Sequence, residues 1–228
     1  MHQAPDWLAA RPIAHRGFHD MNRERWENTL AAFEAAAARG YAIECDVHLS
    51  ADRVPVVFHD SDMARLTGED GKVWQYTAAE LAVLRIGGTK QRVPTLAQAL
   101  SVIQGRVPII IEIKGVAGRD AGLVDAVLEC LSGYHGDVAL MSFDHRIIRA
   151  LALLAGKIPI GLTAQGRSMT DLEAHFSMLA HGISFVSFAV SDLPNPFVSF
   201  VRERLSLPVI TWTVRNQKGV EQTFRYAD

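Results

Sequence analysis

The stretch Ala42-Ile-Glu-Cys-Asp-Val-His-Leu49 has the pattern of a β-strand with two different faces. Successive side chains of a strand point to opposite faces, so Glu44 and Asp46 share one face and the apolar residues beside them share the other. A second stretch, Val107-Pro-Ile-Ile-Ile-Glu-Ile-Lys114, is an apolar run that ends in charged residues. These two strands, with helical sequence before and between them, indicate an α/β protein.

Short β-branched runs alternate with Ala/Leu-rich segments of helical spacing along the rest of the chain. The alternation predicts repeated strand–helix–strand units and a parallel sheet. Capping-box patterns predict helix starts at Thr77, Thr95 and Thr170. The predicted strands are Arg11–His15, Ala42–Leu49, Val54–His59, Val107–Lys114, Val138–Phe143, Pro159–Thr163, Phe185–Val190 and Pro208–Val214. The predicted helices include Thr29–Arg39, Asp120–Leu131, Arg146–Leu154, Thr170–Leu179 and Asn216–Tyr226.

Length and composition narrow the class of protein. The 228 residues fit one α/β barrel, and no linker or repeat interrupts them, so we expect a single domain over residues 1–228. A net charge of -2 argues against an extended nucleic-acid footprint. Cys45 and Cys130 lack metal-type spacing and fit a reducing compartment. No apolar run is long enough to span a bilayer and no signal-peptide pattern is visible, so we expect a cytoplasmic protein.

Glu44 and Asp46 are candidate metal ligands. Two carboxylates on the inner face of an apolar strand are costly unless a cation compensates their charge. Ligation by oxygen alone favours Mg²⁺ or Ca²⁺ over Zn²⁺. The alternative is a pair of ordinary exposed acids, or acids paired with lysines. His48 continues the same parity, which suggests a place at the mouth of the site without a role as ligand.

Glu112 and Lys114 share one face in the same way, at the carboxyl end of their strand. Barrel active sites form at that end of the strands. Glu112 is therefore a candidate third ligand, and Lys114 is a candidate for binding a phosphate oxygen. The alternative is an internal ion pair at the end of the strand.

Two histidines also end predicted strands. His15 is followed by Arg16, a residue type suited to bidentate contact with phosphate, and His59 closes the run Val54–His59. Two histidines can divide proton donation and acceptance across a phosphodiester. Nearby, Glu27 is expected to orient Arg16 or His15 or to support the cation, and either Asn28 or Thr29 is a candidate helix N-cap.

Six ordered motifs resemble those of bacterial cytoplasmic glycerophosphodiester phosphodiesterases. The match begins near residue 11 and continues to the end of the chain, and the signal lies in the order and spacing of the motifs. They are Ile13-Ala-His-Arg-Gly17, Glu27-Asn-Thr29, Ile43-Glu-Cys-Asp-Val47, Val56-Val-Phe-His-Asp60, Ile111-Glu-Ile-Lys114 and Thr211-Trp-Thr-Val214.

The resemblance implies a TIM-type (β/α)8 barrel that hydrolyses glycerophosphodiesters to an alcohol and glycerol 3-phosphate. It implies one divalent cation, Mg²⁺ or Ca²⁺, and leaves the nucleophile open between water and a glycerol hydroxyl. A small inserted subdomain, about residues 50–94, is expected after the second strand. The implied roles are metal binding by Glu44, Asp46 and Glu112, acid/base catalysis by His15 and His59, phosphate binding by Arg16 and Lys114, contact with the glycerol side by Trp212, and support by Glu27 and Asn28.

The carboxyl terminus departs from the family pattern. Without Val54–His59, seven barrel strands are predicted, and no eighth strand follows the helix Asn216–Tyr226. Seven parallel strands leave two unpaired edges, so a partner strand from a second copy, in a homodimer, is one expectation. The alternatives for function are a related phospholipase-type diesterase acting on lipids and a truncated, non-catalytic barrel that binds phosphoesters. We expect a small-molecule substrate and no nucleic-acid partner.

Overall fold

A computed structural model describes residues 4–228 of the chain. These residues form two compact units, one of Pro12–Val138 and one of Ala139–Asp228 with the described residues up to Arg11. The strands are β1 (Ile13–Ala14), β2 (Ala42–Leu49), β3 (Pro55–Val57), β4 (Ile109–Ile113), β5 (Val138–Ser142), β6 (Ile160–Ala164), β7 (Phe185–Ala189) and β8 (Val209–Trp212). The helices are α1 (Leu30–Ala37), α2 (Ala64–Thr67), α3 (Ala78–Leu81), α4 (Leu96–Ile103), α5 (Leu123–Leu131), α6 (His145–Leu154), α7 (Met169–Met178), α8 (Pro196–Leu205) and α9 (Gln217–Tyr226).

In the unit Pro12–Val138, β2 is the central strand. It pairs in parallel with β1 on one side and with β4 on the other, and β3 adds to its carboxyl-terminal half in antiparallel orientation. All eight residues of β2 and all five of β4 are buried. The β2–β4 register sets Asp46 beside Glu112, which brings two acidic residues together at the carboxyl ends of neighbouring strands.

Helix α1 covers this sheet through its small residues. The hydroxyl of Thr29 accepts a hydrogen bond from the Ala32 backbone N–H, which satisfies one of the free donors at the helix start. Ala32, Phe33 and Ala36 are fully buried. Methyl side chains allow α1 to approach β2 and α4 closely, with the Phe33 ring supplying most of the buried apolar area.

The segment between β2 and α4 has a hydrophobic core of its own. It contains β3, α2 and α3, and the half-buried Trp26 and Tyr76 pack against its apolar cluster. In the β2–β3 hairpin, the Phe58 N–H donates to the Asp46 carbonyl at 3.0 Å, so His59 follows directly beside the acidic residues. The cluster consists of Val56, Phe58, Met63, Leu66, Val73, Leu81, Ile86 and Val93.

In the other unit, β5 to β8 form consecutive parallel pairs, with helices in the connections. The aromatic residues Phe185, Phe188 and Phe197 fill its core and are fully buried. Strand β8 pairs with β7, and within the described residues α9 is the last element and no further strand follows it. Seven strands lie in parallel pairs, at the places where the sequence predicts seven barrel strands.

The largest differences from the sequence prediction lie at the ends of elements. Strand β1 has two residues instead of five, and on its carboxyl side a hydrogen bond from the Gly17 N–H to the Ala14 carbonyl closes a turn that includes His15. Arg16 and Gly17 in this turn have φ values of 59° and 80°. The capping box of α7 consists of Ser168 and Asp171, so the predicted start at Thr170 is wrong. The chain turns at Gly166, with φ 100°, and the helix therefore begins earlier. None of the helices described in residues 4–228 combines the length and apolarity that a bilayer span requires.

Candidate active site

The charged residues that the sequence singles out in the first half of the chain meet at one end of β2 and β4. Glu44 and Asp46 come from β2 and Glu112 from β4. Oxygen atoms of these three carboxylates lie within 4.8 Å of one another, and all three side chains are buried. The alternative of ordinary exposed acids therefore does not describe these residues.

Lys114 is the cation closest to the acidic trio, which consists of Glu44, Asp46 and Glu112. Its Nζ donates to Asp46 Oδ1 at 2.8 Å and to Glu112 Oε1. Burial would lower the pKa of Lys114, but the two carboxylates outweigh it and raise that pKa above its usual range. Burial would raise the pKa of Asp46, but Lys114, His59 and Arg16 together lower it. Lys114 and Asp46 are thus held in their charged forms.

Glu44 is the least compensated acid of the trio. Burial, followed by the charges of Asp46 and Glu112, raises its pKa well above the usual range. Its Oε2 accepts a hydrogen bond from the Arg16 backbone N–H at 2.8 Å, but its buried Oε1 has no hydrogen-bond partner among residues 4–228. Burial also raises the pKa of Glu112, although Lys114 opposes this.

These observations fit a divalent cation. A buried carboxylate oxygen without a partner, beside two more carboxylates, is an unfavourable arrangement that a cation would relieve. The donor set offers only oxygen atoms, which suits Mg²⁺ or Ca²⁺. The trio can therefore bind an ion.

The loop after β1 fixes Arg16 over the acids. Positive φ values at Arg16 and Gly17 turn the chain sharply, and a side chain at Gly17 would place its Cβ 2.8 Å from Ala32 Cβ. Asn28, also with positive φ, donates from its backbone N–H to the Arg16 carbonyl and from Nδ2 to Asp46 Oδ2 at 2.8 Å. Asn28 therefore links the turn to the acidic cluster, and Thr29 is the N-cap of α1.

Glu27 holds the side chain of Arg16. Its Oε1 accepts from Arg16 Nη1 at 2.8 Å, and its Oε2 accepts from Asn22 Nδ2 at 2.6 Å. Burial opposes the charge on Glu27, but hydrogen bonds from Arg65, Asn22 and Arg16 lower its pKa below the usual range. Of the alternatives that the sequence leaves for Glu27, the observed contact is therefore the one with Arg16. Arg16 Nε is buried without a hydrogen-bond partner in the described residues and lies 3.6 Å from Asp46 Oδ2.

His15 and His59 flank the cluster and both reach solvent. Their side chains are 28% and 31% exposed, and His15 Nε2 lies 3.9 Å from Glu44 Oε2. Burial and then the neighbouring Arg16 lower the pKa of His15 to about 4. Burial also lowers the pKa of His59, although the charge of Asp46 opposes it. Because both pKa values lie below the ordinary value for histidine, both imidazoles are neutral near pH 7.

Three polar contacts around His59 are missing from the sequence prediction. Nε2 of the buried His48 lies 3.2 Å from the His59 carbonyl oxygen. His59 Nδ1 lies 2.7 Å from Asp60 Oδ1, and Arg65 contacts the same Asp60 carboxylate. The sequence gives a signal for Asp60, since it ends the motif Val56–Asp60, but none for Arg65.

Trp212 belongs to the other unit and ends β8. Its indole Nε1–H donates to the Ser187 carbonyl, and its ring packs edge-to-face against Phe143. These contacts fix the ring within its own unit. Its predicted place on the glycerol side of the substrate stays a prediction.

Comparisons with known proteins cover nearly the whole chain. Residues 15–227 match the family model described as "Glycerophosphoryl diester phosphodiesterase family". A glycerophosphodiester phosphodiesterase of Caldanaerobacter subterraneus is 28% identical over 223 residues, which cover 93% of this chain and 89% of that protein. A phosphodiesterase of Oleispira antarctica, solved in complex with the product sn-glycerol-3-phosphate, superposes with a TM-score of 0.81 at 24% identity and covers 95% of this chain and 89% of its own.

A glycerophosphodiester phosphodiesterase structure from Thermotoga maritima is similar as well. It has a TM-score of 0.77 at 25% identity and covers 95% of this chain and 91% of its own. Likeness of fold over this share of the chain confirms the α/β, TIM-type fold class that the sequence predicts.

Proposed function

Because the chain belongs to the glycerophosphoryl diester phosphodiesterase family, we propose that it hydrolyses glycerophosphodiesters to an alcohol and glycerol 3-phosphate with one divalent cation. The observation that carries the proposal is the buried trio Glu44, Asp46 and Glu112, with an unpartnered oxygen on Glu44 in the described part of the chain. Relatives named for this activity, and a similar structure that holds sn-glycerol-3-phosphate, support the substrate class.

In this proposal the three carboxylates bind Mg²⁺ or Ca²⁺. When bound, such an ion would polarise the phosphoryl oxygens and stabilise the charge that develops on them. Asn28 and Lys114 keep Asp46 in place by their hydrogen bonds to its two oxygens. The backbone N–H of Arg16 does the same for Glu44, so the ligands are fixed in advance.

Arg16 and Lys114 bind the phosphate. Glu27 holds Arg16 Nη1, which fixes the guanidinium beside the acidic residues, where its positive charge can attract a phosphate oxygen. Lys114 adds a second positive charge on the same side as the acids. Two cations and a metal ion are sufficient for a small anionic substrate in a protein of net charge -2.

His15 and His59 exchange protons with the substrate. A neutral imidazole can accept the proton of the attacking hydroxyl at pH 7. The negative phosphate favours the protonated form of the other histidine, which then donates to the leaving alkoxide. Trp212 is proposed to line the glycerol side of the site, on the strength of its motif alone.

The test is a coupled assay for glycerol 3-phosphate released from glycerophosphocholine. We expect release from the purified protein with Mg²⁺ or Ca²⁺, loss of release with excess chelator, and recovery when the divalent ion is restored. A protein that releases no glycerol 3-phosphate from any glycerophosphodiester with any divalent cation would refute the proposal. Release that chelator leaves unchanged would refute the role of the cation.

Cellular location and oligomeric state stay predictions from the sequence. We propose that the enzyme is cytoplasmic. We also propose that it can form a homodimer, because β8 pairs only with β7 in residues 4–228 and leaves a strand edge open. Sedimentation of the purified protein at several concentrations tests the dimer, and fractionation of the native cells tests the location. A monomer at every concentration would refute the homodimer, and recovery of the protein outside the cytoplasm would refute the proposed location.

A further inference from the structure

We propose that Arg65 is a positioning residue for the proposed reaction, tying together the two carboxylates that hold Arg16 and His59. Arg65 lies in α2, within the segment between β2 and α4, and does not belong to the residues assigned above. The inference rests on the proposed function for its kinetic consequence, but the network itself is a feature of the fold.

On one side, Arg65 contacts Asp60. Its Nε donates to Asp60 Oδ2 at 2.5 Å, and its Nη2 donates to Asp60 Oδ1 at 3.0 Å. Burial would raise the pKa of Asp60, but these hydrogen bonds and the contact with His59 lower it. Asp60 is therefore a carboxylate that accepts a hydrogen bond from His59 Nδ1 at 2.7 Å. A proton held on Nδ1 leaves Nε2 as the nitrogen that faces a proton-transfer partner.

On the other side, Arg65 contacts Glu27. Its Nη2 donates to Glu27 Oε1 at 2.7 Å, and its Nη1 donates to Oε2 at 3.1 Å. The same Oε1 accepts from Arg16 Nη1. Glu27 is 38 residues from Arg65 in the sequence, so the contact fixes α2 against the loop that carries Arg16.

The planar guanidinium is needed for this arrangement. Four N–H groups of Arg65 reach two carboxylates at once, and Nη2 is shared between them. Without Arg65, Glu27 and Asp60 would be neighbouring like charges that repel each other, and each would then move the residue it holds. A lysine has a single point of charge and cannot make both forked contacts.

Removal of Arg65 is expected to lower the free energy of unfolding, because the buried Glu27 loses two hydrogen bonds and part of its compensating charge. The Arg65 side chain is 44% exposed, so its removal opens no buried cavity. Arg106 offers a matched control, because it makes a forked pair with Glu34 and its side chain is 39% exposed. Both partners of that control pair lie in the same unit, and neither belongs to the site.

Kinetic measurement of Arg65→Ala, Arg65→Lys and Arg106→Ala tests the proposal. We expect kcat to fall about 10–100-fold in both Arg65 variants, the range found when a residue that orients a site ligand is lost. Arg106→Ala should stay within about twofold of the parent, and kcat is measured for each variant below the onset of its thermal unfolding, so that only folded protein is compared. Millimolar guanidinium chloride should restore kcat of Arg65→Ala in a saturable way, because the vacated position is open to solvent, and should not restore that of Arg65→Lys.

Equal kcat in Arg65→Ala and Arg106→Ala would overturn the proposal, as would equal guanidinium effects on these two variants. An inactive parent protein would instead refute the proposed function, and the network is then tested by ¹⁵N NMR of the His59 ring at neutral pH. We expect a neutral ring protonated at Nδ1 in the parent and in Arg106→Ala, and a mixture of tautomers in Arg65→Ala. The same tautomer in all three proteins would overturn the positioning role.

Discussion

Replacing Lys114 with methionine should destabilise the metal-free protein by about 3–5 kcal/mol, the cost of breaking a buried ion pair by removal of one partner. The Lys114 side chain is 16% exposed, and it bonds Asp46 and Glu112. The substitution leaves these carboxylates and Glu44 buried with less positive charge. Methionine is flexible and of similar length, so loss of packing should contribute little.

The loss of stability in Lys114→Met should depend on divalent cations and on pH. A divalent ion that binds the trio replaces the missing charge, and at 100 times its dissociation constant it adds about 2.7 kcal/mol to the free energy of unfolding. Lys114 lowers the pKa of Asp46, and this stabilisation is present above the unfolded value of 3.8 and lost as the pH falls through the folded value. The difference between parent and variant should therefore narrow in acid.

Urea unfolding followed by circular dichroism, with chelator and with Mg²⁺ or Ca²⁺, measures both effects. Lys72→Met is the control, because Lys72 pairs with Asp62 at the surface, where the two side chains are 40% and 60% exposed. Such a pair contributes at most about 1 kcal/mol. A Lys114 variant that folds only with the cation present is the limiting case of the expected result. A loss no larger than that of the control, or one that divalent cations do not reduce, would refute the reasoning.

Three further predictions concern the same unit. Burial lowers the pKa of His48 to about 4, so between pH 6.5 and 4 the unfolded chain binds a proton that the folded chain does not, and the free energy of unfolding decreases as the pH falls. His48→Gln should reduce this slope in urea unfolding by up to about 1.4 kcal/mol per pH unit. Equal slopes in the parent and the variant would contradict this prediction. Gly17→Ala should lower the free energy of unfolding by at least about 2 kcal/mol, because φ is 80° and the new Cβ meets Ala32; unchanged thermal unfolding would exclude the clash. His15→Ala and His59→Ala should each lower kcat by about two to four orders of magnitude, and parent-like turnover in either would remove that histidine from the mechanism.

The sequence predicts β2 with the bounds that the structure has. Its alternation of acidic and apolar residues is strong, and polar residues bound it on the carboxyl side, so the period of two leaves little choice of register. The same parity places Glu44 and Asp46 on one face. Their approach to Glu112 follows from the β2–β4 register. The general rule that parallel strands end at the same edge of a sheet suggests this register but does not fix it.

Contacts that depend on the β2–β3 hairpin and on α2 were not predictable from single strands. Parity gives the face of His48 but not its partner, because the His59 carbonyl is brought there by the antiparallel return of the chain. Arg65 carries no motif, and its four hydrogen bonds arise only when α2 packs beside the loop after β1. The carboxyl end of β1 was also missed, because a hydrogen bond from the Gly17 N–H to the Ala14 carbonyl closes a turn that already includes His15.

The division of the chain into units has a consequence for its synthesis. Every charged group of the site, from His15 to Lys114, lies in Pro12–Val138, and Ala139–Asp228 follows. At about 5–20 residues per second, a ribosome polymerises the stretch Ala139–Asp228 in roughly 5–18 seconds. The nascent chain thus carries Glu44, Asp46 and Glu112, the three proposed metal ligands, before Trp212 is added.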